Sequence, residues 1–329
     1  MKGYNFVFFL DNNDYQKICY SQLEGRPDVQ IVFDWNLKGI LKLIHRIHMS
    51  PKTNSIFKLP LKKLWYRKYF NNKFSEQRPI CFVFDTCLLQ LYNYYDYVIF
   101  LKNNYPLSKT VLFYQDLIKT FRISFRPDMA RVYFDYLISY DKSDASFYNI
   151  AYHPTVSSPI TVNVPIPDNY KSDVYCLAQA KTRLPLYVDI CNFLMKKGVS
   201  CKFFLARVPM NERTPHDGIT YLDSPMSYIE NLKYVMNTNC ILEIMQDEAV
   251  GYTLRLWEAI LYDKKLLTNN DSVKESPFYN DNYICIMKES FFENTINTSF
   301  FKDSYKLSNP YKNLVTPINI LSFISDMCQ

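Results

Sequence analysis

Residues 239–270, with the sequence NCILEIMQDEAVGYTLRLWEAILYDKKLLTNN, decide how the second half of this chain folds. The apolar run 240–245 predicts a buried strand, and an acidic turn leads from it to Gly251. Apolar residues then recur at helical spacing as far as Tyr262, and 265–268 predicts a second short strand. A strand, a glycine-containing turn, a helix and a strand in this order form a pocket for a phosphorylated ligand at the helix N-terminus.

The rest of the chain repeats this alternation of strand and helix. In the second half the pattern also predicts strands at 173–177 and 201–205 and helices at 186–197, 225–236 and 251–262. In the first half it predicts strands at 4–10, 29–33, 80–84, 97–100, 110–114 and 136–139. Continuous apolar strands separated by helices favour parallel sheets that are covered on both faces. The expected fold is therefore α/β, with two Rossmann-like domains in tandem.

A proline-rich stretch separates the two halves. Four prolines fall within HPTVSSPITVNVPIPDNY, residues 153–170, and proline at this density interrupts regular structure. The sequence predicts an N-terminal domain at 1–155, a linker at 156–171 and a C-terminal domain at 172–329. The last helix is expected to be free to cross back to the first domain. A length of 329 residues suits two domains better than one.

The composition limits the classes of function. Hydrophobic residues make up 48% of the chain, which is enough to bury full cores. The formal charge of +6 is modest, and it argues against a dedicated nucleic-acid binder but not against an anionic ligand. Nine cysteines without a C-x-x-C pair and four scattered histidines predict reduced thiols in a cytosolic protein and no metal site. The apolar start is too short for a membrane span, and its acidic continuation is atypical of a signal peptide.

Two cations follow the first strand of the second half. Lys181 and Arg183 lie in a loop before a helix that is predicted to begin near Pro185. Free N–H groups at a helix N-terminus and a guanidinium can together hold a diphosphate. A solvated basic turn fits the same spacing equally well.

The helix that follows Gly251 carries Thr253, Arg255 and Glu258 near its start. The glycine permits close backbone approach, and the Glu258 carboxylate can accept both ribose hydroxyls of a nucleotide. Arg255 can bind the phosphates or brace Glu258. On spacing alone, a surface ion pair between Arg255 and Glu258, worth roughly a few tenths of a kcal/mol, is the simpler interpretation.

A basic segment lies between Asp34 and Glu76. It contains ten lysines and arginines and no acidic residue, and the cations alternate with aliphatic and aromatic side chains. This combination suits peripheral binding to an anionic bilayer or to a lipid-linked acceptor. A solvated helix face and a nucleic-acid patch are the alternatives, although nothing else in the chain favours nucleic acid. The predicted membrane or acceptor patch comprises Lys62, Lys63, Trp65, Arg67 and Lys68.

Several blocks, in their order and spacing, resemble a family of bacterial GT-B-type glycosyltransferases encoded in lipopolysaccharide and capsule gene clusters. The resemblance runs from about residue 97 to residue 287. Its blocks are NNYPLSKTVLFYQD, FDYLISYDKSDASFYNIAYHP, SDVYCLAQAKTRLP, NCILEIMQDEAVGYTLRLWEAI, KKLLTNN and SPFYNDNYICI. At two places the chain departs from the family pattern, with Ala249-Val250 before the motif glycine and Ala178-Gln179-Ala180 in the first loop of the second domain.

The resemblance implies a GT-B enzyme with a cleft between its two domains. Such an enzyme would move a sugar from a nucleotide-diphosphate sugar to a lipid-linked cell-surface glycan at the inner face of the cytoplasmic membrane. The residues that match the donor side of the family are Lys181, Arg183, Gly251, Thr253, Arg255 and Glu258. Of these, Arg183, Lys181 and the N-terminus of the helix that follows Gly251 would stabilise the leaving diphosphate in place of a metal, so no cofactor is expected.

An inverting enzyme of this kind also needs a base that deprotonates the acceptor hydroxyl. Carboxylates at strand tips of the first domain are suited to this role, and Asp116 and Asp11 are the candidates. A polyol-phosphate transferase, a nucleotide-sugar epimerase and a non-catalytic sugar-nucleotide-binding protein on the same fold remain as alternatives.

Overall fold

The structure is a computed structural model that describes residues 3–160, 167–245, 251–293, 297–304 and 310–329. Its contacts divide the chain into two compact units. Unit 1 comprises Met1–Ser158 and Val315–Gln329, and unit 2 comprises Pro159–Leu314. Each unit contains a sheet of six strands, in which every described strand pairing is parallel.

The sheet of unit 1 is built from six strands: β1 (Asn5–Leu10), β2 (Val29–Phe33), β3 (Ile80–Phe84), β4 (Lys109–Tyr114), β5 (Tyr136–Ser139) and β6 (Ala151–Tyr152). Their order across the sheet is β2-β1-β3-β4-β5-β6. The chain moves from β1 to β2 on one side and then to β3 on the other side. The carboxyl ends of β1 and β3 therefore flank the switch point, where open α/β sheets bind ligands.

The described helices of the N-terminal part of unit 1 are α1 (Asp14–Cys19), α2 (Gly39–His48), α3 (Pro51–Ile56), α4 (Lys63–Tyr69), α5 (Tyr94–Asn104), α6 (Pro127–Ala130) and α7 (Lys142–Tyr148). All residues of β1 and β3 are buried, as expected for central strands with helices on both faces. Aromatic rings fill the core beside them. Phe9 stacks on Phe84 with ring centroids 4.6 Å apart, and the edge of Tyr97 meets Phe9 at 5.6 Å.

The predicted strand at 97–100 is wrong, because these residues lie inside α5. Tyr, Val, Ile and Phe in succession are typical of a strand. However, the buried side chains of α5 are Tyr97, Val98 and Leu101, which share one face of a helix. The run is therefore the core-facing part of a longer amphipathic pattern.

The sheet of unit 2 is built from β7 (Ser172–Gln179), β8 (Cys201–Ala206), β9 (Ile219–Leu222), β10 (Thr238–Glu243), β11 (Lys265–Thr268) and β12 (Ile284–Ile286). Their order is β12-β11-β10-β7-β8-β9, so the switch point of this sheet lies between β7 and β10. The strands and the helix predicted in 239–270 are present. The acidic turn before Gly251, which includes Ala249 and Val250, lies outside the described residues.

The described helices that follow in the chain are α8 (Leu184–Lys196), α9 (Tyr228–Asn237), α10 (Leu254–Leu261), α11 (Ser299–Lys302) and α12 (Pro317–Met327). Gly198 has a φ of 75° just after α8, which is typical of a glycine that ends a helix. Helix α12 belongs to unit 1. Its Ile320 and Ile324 are buried, and its Asn319 Oδ1 lies 3.0 Å from His153 Nε2. Among the described residues, no helix is both long and apolar enough to span a bilayer.

Candidate functional site

The predicted donor residues lie at the carboxyl ends of β7 and β10, beside the switch point of unit 2. Lys181–Arg183 forms a short 3-10 turn between β7 and α8, and Thr253 caps the start of α10. Lys181 has a φ of 49°, in the left-handed region, which is uncommon for a residue other than glycine. The topology of the sheet thus brings together two loops that are separated by about seventy residues of sequence.

Arg183 joins the ends of the two central strands. Its Nη2 donates to the Gln179 carbonyl at 2.8 Å, and its Nη1 donates to the Ile244 carbonyl at 2.5 Å. The guanidinium also lies 5.8 Å from the centre of the Tyr187 ring. These contacts fix a positive charge across the switch point at the N-terminus of α8. No side chain caps that N-terminus, so both features favour an anion.

Arg255 connects α10 to the neighbouring strand. Its Nε donates to the Leu177 carbonyl of β7 at 3.0 Å, and its Nη2 donates to the same oxygen. The sequence suggested that Arg255 binds phosphate or braces Glu258, whereas its nearest hydrogen-bond partner is backbone. It therefore places a second cation close to the carboxyl end of β7.

A buried carboxyl group organises the start of α10. Glu243, at the end of β10, accepts hydrogen bonds from the hydroxyl groups of Thr253 and Thr268, the latter at 2.6 Å. Burial raises the pKa of Glu243, and these hydrogen bonds partly oppose that effect. Asn270 Nδ2 donates to the Gly251 carbonyl at 2.7 Å. The glycine and the N-cap are thereby tied to the ends of β10 and β11.

The sequence analysis missed Glu243, Thr268 and Asn270 as parts of this site. One signal was present, since Glu243 is the single charged residue in an apolar strand. A lone carboxyl group on a buried strand requires hydrogen-bond partners.

Glu258 lies inside unit 2 rather than at its surface. It is 3% exposed, and its Oε1 accepts a hydrogen bond from Asn231 Nδ2 of α9 at 3.0 Å. Tyr175 donates from its hydroxyl group to Asn231 Oδ1 at 2.9 Å. Burial raises the pKa of Glu258 to about 7, although the neighbouring Arg255 favours the charged form. Its predicted role in binding ribose remains a prediction.

In unit 1, a row of aspartates follows the strands at the carboxyl edge of the sheet. Asp11 follows β1 and lies at the switch point. Its carboxylate accepts hydrogen bonds from Gln90 Nε2 at 2.7 Å and from Thr86 Oγ1 at 3.2 Å. Partial burial raises the pKa of Asp11, and the charge of Asp34 adds to this effect, while the Thr86 bond opposes it.

Asp85 follows β3 on the other side of the same switch point. It is 2% exposed, and it accepts hydrogen bonds from the Thr86 backbone N–H at 2.5 Å and from the Gln16 amide. Burial raises the pKa of Asp85 to about 7, and the charge of Asp11 acts in the same direction. Thr86 thus holds both carboxyl groups through its backbone and its hydroxyl. Asp85 was not among the catalytic residues predicted from the sequence.

Asp116, the other predicted catalytic residue, has a different environment. It is exposed, and its Oδ1 accepts a hydrogen bond from the Leu117 backbone N–H at 2.8 Å. It follows β4, which is separated from β1 by β3. The structure therefore places Asp11, but not Asp116, at the switch point. The catalytic role of each remains a prediction.

The predicted membrane patch divides into inward and outward side chains. Trp65 is buried, and its indole N–H donates to His48 Nδ1 at 2.7 Å. Lys62 donates to the Leu59 carbonyl and lies 5.0 Å from the Tyr92 ring centre. The remaining members, Lys63, Arg67 and Lys68, are exposed.

The helix α2 presents an apolar stripe to solvent. Ile40, Leu43, Ile44 and Ile47 follow the i, i+3, i+4, i+7 spacing of one helix face, and each is between 48% and 73% exposed. On the opposite side His45 is buried, with its Nε2 2.5 Å from the Tyr69 hydroxyl. Nine of the twenty exposed large hydrophobic side chains among the described residues lie within 40–64. An exposed apolar surface of this extent indicates a binding partner.

Metal ligation has no support within the described ranges. No group of three His, Cys, Asp or Glu side chains there is placed to hold a metal ion. All nine cysteines are free thiols, and eight of them are buried.

Comparison with known proteins gives matches among solved structures only. Neither models of protein families nor curated protein sequences match the chain. The catalytic domain of starch synthase IV from Arabidopsis thaliana, bound to ADP and acarbose, superposes with a TM-score of 0.52 at 9% identity, and the match covers 99% of each chain. The trehalose-6-phosphate synthase OtsA has the same TM-score, identity and coverage. The N-terminal domain of trehalose-6-phosphate phosphatase from Candida albicans also has a TM-score of 0.52 at 9% identity, covering 99% of this chain and 97% of that one.

These comparisons identify the fold. The starch synthase and trehalose-phosphate synthase structures are GT-B glycosyltransferases, and this chain likewise contains two Rossmann-like parallel sheets. The predicted α/β GT-B fold class is confirmed. At 9% identity, the similarity to these structures shows the fold alone.

Proposed function

We propose that this protein is a glycosyltransferase that transfers a sugar from a nucleotide-diphosphate sugar to a lipid-linked glycan in bacterial lipopolysaccharide or capsule synthesis. The observation that carries the proposal is the position of Arg183. Its guanidinium joins the ends of β7 and β10 at the switch point of a GT-B fold, beside the uncapped N-terminus of α8. A structure with a similar fold, starch synthase IV, contains bound ADP.

The donor would be held by unit 2. Arg183, Lys181 and the N-terminus of α8 would bind the diphosphate, while the Gly251 turn and α10 would complete the site. As the bond to the sugar breaks, negative charge accumulates on the leaving diphosphate, and fixed cations stabilise it without reorganisation. On this proposal no metal ion is required. A single donor of this kind is typically worth about 100- to 1000-fold in kcat.

The acceptor hydroxyl would be deprotonated by Asp11. Its position at the switch point of unit 1 and its raised pKa favour a base over an exposed carboxylate such as Asp116. A base is most effective when its pKa approaches the working pH. Asp85 would act as a positioning residue, because it contacts Thr86 and Gln16 rather than solvent.

The membrane contact would be made by α2 and the residues that follow it. The exposed stripe Ile40, Leu43, Ile44 and Ile47 would enter the headgroup region, while neighbouring cations such as Lys63 and Arg67 would meet anionic lipid. Each buried aliphatic side chain contributes roughly 1.5–3 kcal/mol and each cation about 1 kcal/mol. The protein would then act as a peripheral protein at the inner face of the cytoplasmic membrane, where a lipid-linked acceptor is available.

The donor proposal is tested by incubating the full chain with UDP-, GDP-, ADP-, CMP- and dTDP-sugars and a lipid extract, with and without a metal chelator. We expect one nucleotide sugar to be turned over equally well under both conditions. Arg183→Ala should lower turnover about 100-fold or more. The matched control is Arg213→Ala, because Arg213 pairs with Asp223 at 2.7 Å. Equal activity of Arg183→Ala would contradict the proposed site, and loss of activity with the chelator would contradict metal independence.

The membrane proposal is tested by sedimentation with phosphatidylcholine vesicles that contain or lack phosphatidylglycerol. The double variant Ile40→Ser/Ile47→Ser should lose binding to the anionic vesicles. A matched control is Ile123→Ser/Val132→Ser, which replaces aliphatic side chains that are at least as exposed elsewhere in unit 1. If both double variants bind as the unmodified chain does, α2 is not the membrane contact.

A further inference from the structure

A lysine-lined pocket in unit 1 lies beside the carboxyl ends of β1 and β2, and Asn12, the residue after Asp11, is part of its lining. Its cavity volume is about 800 Å³. It lies beside the end of β2, between α1, the first half of α2 and the end of α4. Its lysines are Lys17, Lys38, Lys42, Lys68 and Lys73. Of the predicted membrane or acceptor patch, only Lys68 lines it.

These lysines do not lie along one face of a single helix, as the charges of a solvated helix face do. Lys17 comes from α1, Lys42 from α2 and Lys68 from α4, and the other two come from the loops that flank α2 and α4. Segments distant in sequence therefore direct five positive charges toward one cavity. Convergence of this kind creates a local potential that a solvated helix face does not.

Only one acidic side chain lines the cavity. Asp34 Oδ2 accepts hydrogen bonds from Lys42 Nζ and Asn12 Nδ2, each at 2.5 Å. Among the described residues, Lys17, Lys38, Lys68 and Lys73 form no ion pair. Five lysines against one aspartate leave a net charge of +4 on the lining. A ligand with two or more negative charges would balance it.

The loop at the rim of the pocket has a strained backbone. Asp34, Trp35 and Asn36 have φ values of 47°, 57° and 58°, and Gly39 follows with 55°. Asp and Asn tolerate this region, whereas for Trp35 it typically costs about 1 kcal/mol or more. The Trp35 ring holds the loop in place, since it is buried and lies 4.6 Å from the Tyr69 ring. Strain that the core maintains at the edge of a charged cavity is typical of a binding site.

We propose that this pocket binds a phosphate or diphosphate group, which in the proposed transferase would be the anionic group of the acceptor. Lysines suit this ligand because an ammonium group is a flexible point charge that can follow a tetrahedral anion. The cavity has the size of a compact ligand, and the modest charge of the whole chain does not favour an extended polyanion. The identification of the acceptor rests on the proposed function, whereas the anion site itself does not.

The test is isothermal titration of inorganic diphosphate into the full chain at low ionic strength. The double variant Lys17→Ala/Lys73→Ala should bind about twentyfold more weakly, since each lysine charge at contact distance in water contributes about fivefold. The matched control Lys52→Ala/Lys58→Ala removes two exposed lysines of the basic segment between Asp34 and Glu76 that do not line the pocket. Repeating the titration with Arg183→Ala removes the diphosphate binding that is due to the proposed donor site in unit 2.

Unchanged affinity in Lys17→Ala/Lys73→Ala, or an equal loss in the control, would overturn the pocket proposal. If the pocket variant loses diphosphate binding and no nucleotide sugar is turned over, the anion site stands and the transferase proposal fails. The source of the phosphate is resolved by competition. Displacement of diphosphate by phosphatidic acid vesicles but not by glucose 6-phosphate identifies a lipid-borne group, and the reverse identifies a soluble sugar phosphate.

Discussion

In each unit a buried carboxyl group accepts a hydrogen bond from a carboxamide close to the switch point of the sheet. The charged side chain beside this pair is negative in unit 1 and positive in unit 2. In unit 1 Asp85 accepts a hydrogen bond from Gln16, and its charged neighbour is Asp11. In unit 2 Glu258 accepts a hydrogen bond from Asn231, and its charged neighbour is Arg255. The same buried pair therefore supports a carboxylate in one unit and a guanidinium in the other.

This difference explains how one architecture can serve two chemical roles. In unit 1 the carboxylate of Asp11 lies beside the buried pair, and its raised pKa favours the acceptance of a proton. In unit 2 the fixed guanidinium groups and the uncapped N-terminus of α8 favour the binding of an anion. Division of the proposed reaction between the units follows from these local charges and not from the sheets, which are alike.

The largest expected effect separates Asp11 from Asp116. Asp11→Asn keeps the size of the side chain but removes the base, so we expect transfer to fall by about 100- to 10000-fold. Asp116→Asn should change the rate by only about twofold, because its carboxylate serves as a cap for the Leu117 backbone. Initial rates at saturating donor measure both. Equal losses of activity in the two variants would contradict the assignment of the base to Asp11 rather than to Asp116.

The next effect concerns the rigidity of unit 2. Glu243→Ala would leave the hydroxyl groups of half-buried Thr253 and buried Thr268 without their acceptor and would open a cavity at the end of β10. We expect a loss of about 3 kcal/mol in the free energy of unfolding, measured with urea. Glu243→Gln retains an acceptor oxygen and serves as the control, with a loss of about 1 kcal/mol. A loss as small for alanine as for glutamine would show that this network does not hold α10.

A smaller effect is the change in stability per pH unit that is expected from Asp85 and Glu258, the carboxyl groups that accept hydrogen bonds from carboxamides. Burial raises the pKa of both Asp85 and Glu258 to about 7, so the folded state holds their protons more tightly than the unfolded chain does. Stability should therefore be greatest below about pH 4 for these groups and should fall as the pH rises toward 7, by at most about 4 kcal/mol for Asp85 and about 3 kcal/mol for Glu258. Thermal unfolding across this range should show flatter profiles for Asp85→Asn and Glu258→Gln. A steeper profile in either variant would contradict the raised pKa.

The sequence could predict much of this fold because strand and helix periodicity is local. The pattern in 239–270 contains β10, α10 and β11, and strand order places the loops of Lys181 and Gly251 at one edge of the sheet. The partner of each side chain could not be predicted in the same way. Arg255 donates to Leu177 and Glu258 accepts from Asn231, and these partners are set by tertiary packing.

The basic segment shows the same limit in unit 1. Its composition predicts an amphipathic surface, but composition cannot say which side of a helix faces the core. In the structure Trp65 packs inward while the aliphatic stripe of α2 faces solvent. The lysine pocket was also unpredictable, since it depends on the convergence of segments from Lys17 to Lys73.

The central claim is that the switch point between β7 and β10 binds the diphosphate of a nucleotide. Isothermal titration of UDP, GDP, ADP and dTDP into the chain, Arg183→Ala and Arg213→Ala tests it most directly. We expect one nucleoside diphosphate to bind the unmodified chain and Arg213→Ala alike, and to bind Arg183→Ala about tenfold or more weakly. Equal binding to all three proteins, or no binding of any nucleoside diphosphate, would show that this switch point is not the nucleotide site.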